Sequence, residues 1–172
     1  MTELDLIETD RLILSGWRRD QIGDLIRLHG DPNVALYLAA EGRPWTLEEM
    51  DDALEHWIDL FETRRMGKLR VRLKSDGTLV GRAGFGVHGD DEVPEIGYAL
   101  YPEHWGKGYA FEAASALRDW IWRDTQWDHF LGMADTRNEA SRKVLRGIGM
   151  VETHTEPDGE RELQFHILRR PA

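Results

Sequence analysis

The sequence predicts an α/β (α+β) fold in which a mixed, mostly antiparallel central sheet is flanked by helices. One observation is a pair of hairpin signals, Asp76-Gly77 and Asp158-Gly159, each between runs of alternating polarity. The other is a set of helical patterns between further strand candidates, clearest in the one that starts at Thr46. Strands joined partly by hairpins and partly through helices form a mixed sheet that the helices cover.

The N-terminal segment predicts a strand, a short helix and a break. Residues 7–14 are the strand candidate, because Leu12 and Leu14 alternate with polar neighbours. Asp20 is a candidate cap for the short helix that follows it. The side chains that we expect this helix to bury are Ile22, Leu25, Ile26 and His29. Asp31-Pro32-Asn33 then predicts a break in the chain.

A longer helix starts at Thr46. The residues Thr46-Leu47-Glu48-Glu49 fit a capping box, in which Thr46 accepts from the Glu49 amide and the Glu49 carboxylate reaches back. The apolar stripe that follows at helical spacing predicts a core-packing helix. Its members are Met50, Leu54, Trp57, Ile58 and Phe61.

Residues 68–74 alternate strictly between cations and apolar residues. Lys68, Arg70, Arg72 and Lys74 would lie on one face of a strand, opposite Leu69, Val71 and Leu73. Asp76-Gly77 turns this strand back into a partner at residues 79–87. We expect the cationic face to be solvated, and a contact with an acidic partner or a subunit is the alternative.

The C-terminal half continues with strands and helices in alternation. Residues 94–100 and 130–134 predict strands, and 108–122 predicts a helix that buries Ala113, Ala114, Leu117 and Ile121. Asn138 is a cap for a last helix that bears Val144, Leu145 and Ile148. Two closing strands flank Asp158-Gly159, the second with Leu163, Phe165 and Ile167 in alternation.

Composition excludes several classes of protein. The 172 residues, with 41% hydrophobic content and seven Trp, predict one folded domain over residues 1–172. No Cys is present, so disulfides, thiolate metal sites and cysteine nucleophiles are excluded. The net charge of -10 argues against nucleic-acid binding. We expect no membrane span and no secretory signal, and therefore a cytoplasmic protein.

The familiar short motifs are absent or out of context. Gly84 to Gly89 match the spacing of a dinucleotide fingerprint, but the acidic run ending in Pro94 cannot begin the required helix. Close strand packing or a bulge explains these glycines better. The seven His are scattered without ligand spacing, so we expect no metal site.

The informative segment is Trp105-Gly106-Lys107-Gly108-Tyr109-Ala110-Phe111, which lies between a strand and a helix. Two glycines let consecutive amides turn toward one point, and the helix adds its positive end, which suits a diphosphate. A plain glycine turn that ends the strand is the alternative, and the local sequence does not decide between them.

Several ordered motifs together resemble the GNAT superfamily of N-acetyltransferases, and most closely its branch of ribosomal-protein alanine acetyltransferases. The resemblance runs nearly end to end. It is carried by residues 8–14 (Glu-Thr-Asp-Arg-Leu-Ile-Leu), 31–34 (Asp-Pro-Asn-Val), 95–100 (Glu-Ile-Gly-Tyr-Ala-Leu), 102–110 (Pro-Glu-His-Trp-Gly-Lys-Gly-Tyr-Ala), 138–141 (Asn-Glu-Ala-Ser) and Gly149-Met150.

The resemblance implies acetyl-CoA as the cosubstrate, without a metal. The backbone of Tyr98, Ala99 and Leu100 would pair with its pantetheine arm as if with a strand. Amides across Gly106, Lys107, Gly108, Tyr109, Ala110 and Phe111 would hold the pyrophosphate, and Trp105 stands at the head of this loop. Asn138 and Ser141 would contact the coenzyme near the pantetheine. Lys143 or Arg142 would approach a phosphate, which is the weaker implication.

The proton transfers that this reaction requires point to candidates for catalysis. Glu95 is the candidate base that removes the proton of the amine, directly or through water, with Glu156 in reserve. A solvated or paired carboxylate is the alternative for Glu95. The Tyr that often serves as general acid in the superfamily is replaced by Leu145, so Ser141 is the candidate donor to the leaving thiolate. The amide near Tyr98 would stabilise the oxyanion.

The resemblance therefore implies an acetyl-CoA-dependent N-acetyltransferase that moves the acetyl group directly to a primary amine, either a protein N-terminus or a small amine. A non-catalytic acyl-CoA-binding module and a protein that interacts through the basic strand are the alternatives. Trp17, Trp45 and Trp57 would shape the acceptor pocket or belong to the core. A homodimer is compatible with this interpretation, although no motif indicates one.

Overall fold

The computed structural model describes residues 2–172 and contains one eight-stranded sheet in the order β1-β2-β3-β4-β5-β6-β8-β7. All neighbours are antiparallel except β5 and β6, which are parallel, so the predicted fold class is confirmed. The strands are β1 Asp5–Glu8, β2 Leu12–Ser15, β3 Gly67–Leu73, β4 Leu79–His88, β5 Val93–Leu100, β6 His129–Asp135, β7 Val151–Asp158 and β8 Arg161–Arg169. The helices are α1 Ile22–His29, α2 Pro32–Leu38, α3 Leu47–Arg64, α4 Tyr109–Asp124 and α5 Glu139–Gly147.

The predicted first strand is wrong, because residues 7–14 contain a turn between β1 and β2. The Thr9 amide donates to the Leu12 carbonyl at 2.9 Å, and the two strands pair as a hairpin. The buried residues are odd-numbered before this turn, at Ile7, and even-numbered after it, at Leu12 and Leu14. In one continuous strand every second residue faces the core, so the change from odd to even numbers marks the turn.

Two expectations around α1 and α2 need correction. Gln21 occupies the N-cap position of α1 instead of Asp20, and Ile26 is 38% exposed instead of buried. Asp31 does not break the chain but caps α2, since its carboxylate accepts from the Asn33 amide at 2.8 Å. Pro32 then takes the first helical position, where its fixed φ and missing amide proton cost nothing.

The capping box of α3 is confirmed. The Glu49 amide donates to Thr46 Oγ1 at 3.2 Å, and the Thr46 amide donates to Glu49 Oε2 at 2.6 Å. The bond from Arg43 and then the Thr46 amide lower the pKa of Glu49 to about 2. Of the expected stripe, Met50, Leu54, Trp57 and Phe61 are buried and Ile58 is half-buried.

The cations of β3 are not merely solvated, contrary to expectation, because each pairs with a carboxylate. Arg70 bonds Asp24 at 2.5 Å and Arg72 bonds Asp5 at 2.6 Å. Lys74 pairs with Glu8, and Lys68 lies 2.8 Å from Glu95. These partners sit on β1, β5 and α1, far from β3 in sequence, so local alternation could not show them.

The opposite face of the sheet packs against α4. Leu69, Val71, Phe85 and Ile96 are at most 2% exposed, and Phe85 meets Phe130 edge to face at 5.2 Å. Helix α4 buries the expected Ala113, Ala114, Leu117 and Ile121 against this face. The core thus fixes which side chains of β4 and β5 point away from α4. Among residues 2–172 no helix has the length and apolar character that crossing a membrane requires.

Candidate active site

Strands β5 and β6 separate halfway along their length. Strand β5 pairs with β4 from Val93 to Leu100, but with β6 only at Glu95 and Ile96. Within residues 2–172 no strand pairs with the β6 side of Gly97 to Leu100. An extended chain that enters this gap can bond the exposed backbone as an added strand.

The gap opens into a cavity of about 1000 Å³. It is lined by the segment before α4, the start of α5, α2, α3 and the polar face of the sheet. The predicted residues that line it are Glu95, Tyr98, Ala99, Leu100, Trp105, Gly106, Gly108, Tyr109, Ala110, Phe111, Asn138, Ser141 and Lys143. Lys107, Arg142 and Glu156 are not among the lining residues.

The segment before α4 has the backbone shape of an anion cradle. Gly106 and Gly108 adopt φ values of 73° and 80°, in the left-handed region that favours glycine. No side chain caps the N-terminus of α4 at Gly108, so the amides of its first turn have no helical partner. Those amides and the helix dipole are suited to a diphosphate.

The turn between β1 and β2 supports this cradle from behind. Arg11 Nη1 donates to the Lys107 carbonyl at 2.9 Å, and Arg11 Nε bonds Glu112 at 2.6 Å. Thr9 Oγ1 donates to the same carboxylate at 2.6 Å. Although burial raises the pKa of Glu112, the bonds from Thr9 and Arg11 outweigh it, so the pKa falls below its usual value. No local pattern predicts this contact, because Arg11 and Glu112 are 101 positions apart in the chain.

The start of α5 brings three predicted groups together. Asn138 Oδ1 accepts from the Ser141 amide at 3.2 Å, which confirms Asn138 as the cap. The Tyr98 hydroxyl lies 2.9 Å from the Ser141 carbonyl and 3.1 Å from Ser141 Oγ. Burial raises the pKa of Tyr98 well above its usual value, so this phenol stays protonated and can donate. Leu145 is buried at 1% exposure, and no hydroxyl stands at its position.

Of the two cations of α5 that were predicted to approach a phosphate, one is bonded to other described residues and the other is not. Arg142 donates to the Thr136 carbonyl at 3.1 Å and to Glu152 at 2.8 Å, so its guanidinium is committed away from the cavity. Lys143 is exposed, lines the cavity and forms no ion pair with another described residue. Glu156 is bonded to His154 at 2.9 Å on the exposed β7.

Glu95 lies on the polar face of the sheet with Lys68. Lys68 Nζ donates to Glu95 Oε2 at 2.8 Å and to the Glu95 carbonyl at 3.1 Å, with 10% and 19% of the two side chains exposed. Glu95 Oε1 accepts no bond from residues 2–172. Burial lowers the pKa of Lys68, and the attraction of Glu95 opposes that shift. The pair leaves one carboxylate oxygen available beside the gap.

Two glycines make room for this pair. A Cβ on Gly97 would lie 2.6 Å from Lys68 Nζ, and one on Gly86 would lie 3.5 Å from Lys68 Cε. Gly84 has a different role, because its Cβ would lie 1.9 Å from the Gly67 carbonyl oxygen. The glycines from 84 to 89 thus belong to a strand and its turn, where close packing was expected.

Beyond Lys68 the polar face carries Arg82, which is only 5% exposed. Its Nε donates to His29 Nε2 at 2.9 Å, and burial lowers the pKa of His29 to about 2, with Arg82 adding to the effect. The His29 ring is therefore neutral and stacks on Trp45 at 3.8 Å, while the Arg82 guanidinium lies 5.0 Å from the Trp57 ring. Trp45 and Trp57 line the cavity, whereas Trp17 is a core residue that donates to the Lys68 carbonyl at 2.5 Å.

This geometry can be set beside known proteins. The family model of the acetyltransferase (GNAT) domain matches residues 11–151, and the chain therefore belongs to the GNAT acetyltransferase family. The predicted family and the enzyme class, an N-acetyltransferase, are confirmed. Among the described residues no cluster of His, Asp and Glu is arranged to hold a metal ion.

Individual relatives agree with this assignment. The chain is 25% identical over 147 residues to the uncharacterized N-acetyltransferase p20 of Bacillus licheniformis, covering 84% of this chain and 82% of that protein. An acetyltransferase structure from Agrobacterium tumefaciens is 25% identical, with a TM-score of 0.82 and coverage of 99% and 96%. The microcin C7 self-immunity acetyltransferase MccE, solved with acetyl-CoA and AMP, shares the fold at 15% identity, a TM-score of 0.80 and 98% coverage of both chains.

Proposed function

We propose that residues 1–172 form one acyl-CoA N-acyltransferase domain that moves the acetyl group of acetyl-CoA to a primary amine by direct attack. The observation that supports this most is the unpaired edge of β5 between Gly97 and Leu100, with Glu95 at its inner end and the glycine cradle beyond its outer end. A bound thioester would thus present its carbonyl carbon near Glu95.

The residues present fit acetyl-CoA. The amides at the start of α4 suit its diphosphate, and Gly106 and Gly108 hold the backbone in the required left-handed conformation. The β5 edge suits the amide groups of the pantetheine arm. Lys143 would approach a phosphate, and the Nδ2 donor of Asn138 is available because the cap uses only its oxygen. When bound, the thioester supplies an activated acetyl group.

Glu95 would accept the proton that the amine must lose. A C–N bond forms as the C–S bond breaks, the acetyl group joins the nitrogen, and the nitrogen gives up one proton to Glu95 Oε1, directly or through water. Lys68 holds Oε2 at 2.8 Å and so orients the carboxylate. Backbone amides of the β5 edge would stabilise the oxyanion that develops on the acetyl group.

The leaving thiolate also needs a proton or a hydrogen bond. Ser141 Oγ lines the cavity and lies 3.1 Å from the Tyr98 hydroxyl. Tyr98 stays protonated and donates its one proton to the Ser141 carbonyl at 2.9 Å, so it holds Ser141 in place and leaves the serine hydroxyl proton available to the thiolate. Ser141 would thus be the final donor, and Tyr98 would orient it.

A non-catalytic acyl-CoA-binding module is the second candidate, favoured by the buried Leu145 at the position where the superfamily often has its tyrosine acid. Two measurements separate the candidates. Calorimetric titration with acetyl-CoA, with dephosphorylated CoA and NAD as controls, tests the cradle. Release of free CoA thiol across a panel of primary amines tests transfer. Binding with amine-dependent thiol release supports the enzyme, binding without release supports the module, and no binding overturns both.

A further inference from the structure

Arg82 is the one buried cation of the polar sheet face that has no carboxylate partner among residues 2–172. The neighbouring Lys68, Arg70 and Arg72 each pair with an acidic side chain. Arg82 has no such group within the 4.0 Å limit of an ion pair, and its single side-chain bond goes to the neutral His29. A buried charge without a counter-charge is costly, so its retention points to a ligand.

The guanidinium of Arg82 is held through Nε, and its two terminal nitrogens, which form a fork, have no partner among the described residues. Its Nε is engaged by His29, while neither Nη1 nor Nη2 donates to any described residue. Arg82 lines the cavity, and its two Nη atoms, which have no partner, are not fully buried. A ligand in the cavity can therefore reach them. Burial lowers the pKa of Arg82 to about 10, opposed by Glu95, so the group remains a cation at neutral pH. Two parallel N–H groups on a fixed plane match the oxygens of a carboxylate.

The surroundings fix the orientation of this fork. His29 stacks on Trp45, and the guanidinium lies over Trp57, so the plane is supported on two sides. Arg82 and Glu95 lie on one face of adjacent strands, since Arg82 is opposite Ala99 and Glu95 is opposite Gly86. Their backbone positions are therefore four residues apart along the sheet, roughly 13 Å by the rise of a strand. Lys68, opposite Gly84, lies between them and is paired with Glu95. A molecule that spans the two side chains would meet the carboxylate of Glu95 at one end and the unpaired guanidinium of Arg82 at the other.

We infer that the acceptor is an amine that also carries a carboxylate, with the carboxylate bound by Arg82 and the amine directed to Glu95. This inference rests on the proposed function, because it assigns the acceptor of the same reaction. Such an acceptor matches both charges of the protein. Its ammonium end is attracted by the net charge of -10, and its carboxylate end is attracted by the cation inside the pocket. The carboxylate would come either from a free amino acid or from an acidic N-terminal residue of a peptide.

Matched pairs of acceptors test the inference in the unmodified protein. The free amino acid arm compares L-leucine with L-leucinamide and β-alanine with β-alaninamide. The peptide arm compares Asp-Ala-Ala-amide with Asn-Ala-Ala-amide. Loss of one partner from a buried charge pair costs at least about 30-fold in binding, so we expect the acid of one arm to exceed its amide by about 30-fold or more in kcat/KM. Each kcat/KM is calculated for the concentration of unprotonated amine, because an amide group makes the neighbouring amine less basic than a carboxylate does. The arm that shows the preference identifies the source, and equal values within every pair overturn the inference.

Variants assign the preference to Arg82. Arg82→Met should reduce the acid-to-amide ratio to about threefold or less, and Arg82→Lys, which keeps the charge but not the fork, should give an intermediate ratio. The matched control is Arg70→Met, because Arg70 is the cross-strand neighbour of Arg82 but is paired with Asp24 and does not line the cavity. Its ratio should stay that of the parent. A preference that survives Arg82→Met refutes the assignment, and Arg82→Gln replaces any variant that does not fold.

Failure of the proposed function would look different. If no amine releases CoA thiol, transfer is refuted, and calorimetric titration of L-leucine and β-alanine into the protein loaded with acetyl-CoA decides the inference alone. Binding by the parent that is lost in Arg82→Met supports a carboxylate site. The absence of heat with both amino acids and with the acidic peptide overturns it.

Discussion

Replacing Glu95 by Gln alone and together with Lys68→Met separates the proton-accepting role of this carboxylate from its role as a charge partner. Glu95→Gln keeps the shape of the side chain but leaves Lys68, with 10% of its side chain exposed, without a carboxylate. Removing one member of a buried pair costs about 3–5 kcal/mol. Because burial already lowers the pKa of Lys68, this lysine can lose its proton and limit the cost, so we expect about 3 kcal/mol.

The double variant should regain the stability but not the activity. Lys68→Met removes the unpaired ammonium and keeps the apolar length of the side chain. In a chain of this size about 3 kcal/mol corresponds to a fall in Tm of roughly 6–12 °C, which the double variant should largely reverse. A general base contributes about 100-fold to 10,000-fold, so both variants should lose at least about 100-fold in kcat at neutral pH. The affinity for acetyl-CoA should hardly change, since neither side chain lies at the glycine cradle.

The measurements are urea and thermal unfolding of the three proteins and thiol release as a function of pH. The deficit in kcat should shrink as pH rises, because the free amine becomes more abundant and bulk base replaces Glu95. If the double variant recovers turnover together with stability, Glu95 acts only by holding Lys68. Equal rates of Glu95→Gln and parent across the pH range would remove Glu95 from the mechanism.

Three further substitutions test other parts of the site. Gly108→Val should abolish acetyl-CoA binding in calorimetry, because valine is disfavoured at the φ of 80° that Gly108 adopts. The control Gly77→Val introduces the same strain at a φ of 78° in a remote turn and should retain binding. Binding by both variants would refute the cradle. Ser141→Ala should lower kcat about 100-fold, the low end of what a general acid contributes, with a much smaller change in acetyl-CoA affinity. Unchanged turnover would leave Ser141 without a chemical role, and Ser115→Ala on α4 is the control. For His29, the folded pKa of about 2 lies below the unfolded 6.5, so the unfolded chain binds more protons between these values and stability falls as pH drops below 6.5. From pH 6.5 to 5 the parent should lose about 2 kcal/mol that His29→Gln retains in urea unfolding, and equal losses in the two proteins would contradict the assignment.

Local sequence was sufficient wherever neighbouring residues determine the structure. The capping box at Thr46, the turn at Asp76-Gly77 and the cap at Asn138 are all made by residues within a few positions of each other. Asp31-Pro32 carried an equally local signal, because a cap residue followed by proline is typical of a helix start. The prediction of a break at Asp31-Pro32-Asn33 is wrong because it treats the proline as a helix breaker and not as the first residue of a helix.

The charge partners could not be predicted, because they are set by which strands become neighbours. Lys68 reaches Glu95 across β4, and Arg82 reaches His29 across 53 residues. Alternation correctly placed the cations of β3 on one face but gave no information on what covers that face. The resemblance to a family indicated the cradle and the β5 edge. It gave no role to Arg82, which lines the cavity beside Trp45 and Trp57.

The period of two along β5 explains how one strand serves both halves of the site. Glu95 and Gly97 point to the face of Lys68 and Arg82, while Ile96 and Tyr98 point to the face of α4 and α5. A shift of one residue in register would exchange these faces and would bury Glu95 in the apolar core. The pairing of Ile96 with Phe85, at 0% and 1% exposure, opposes that shift. The core contact therefore determines that Glu95 faces Lys68 and that Tyr98 faces Ser141.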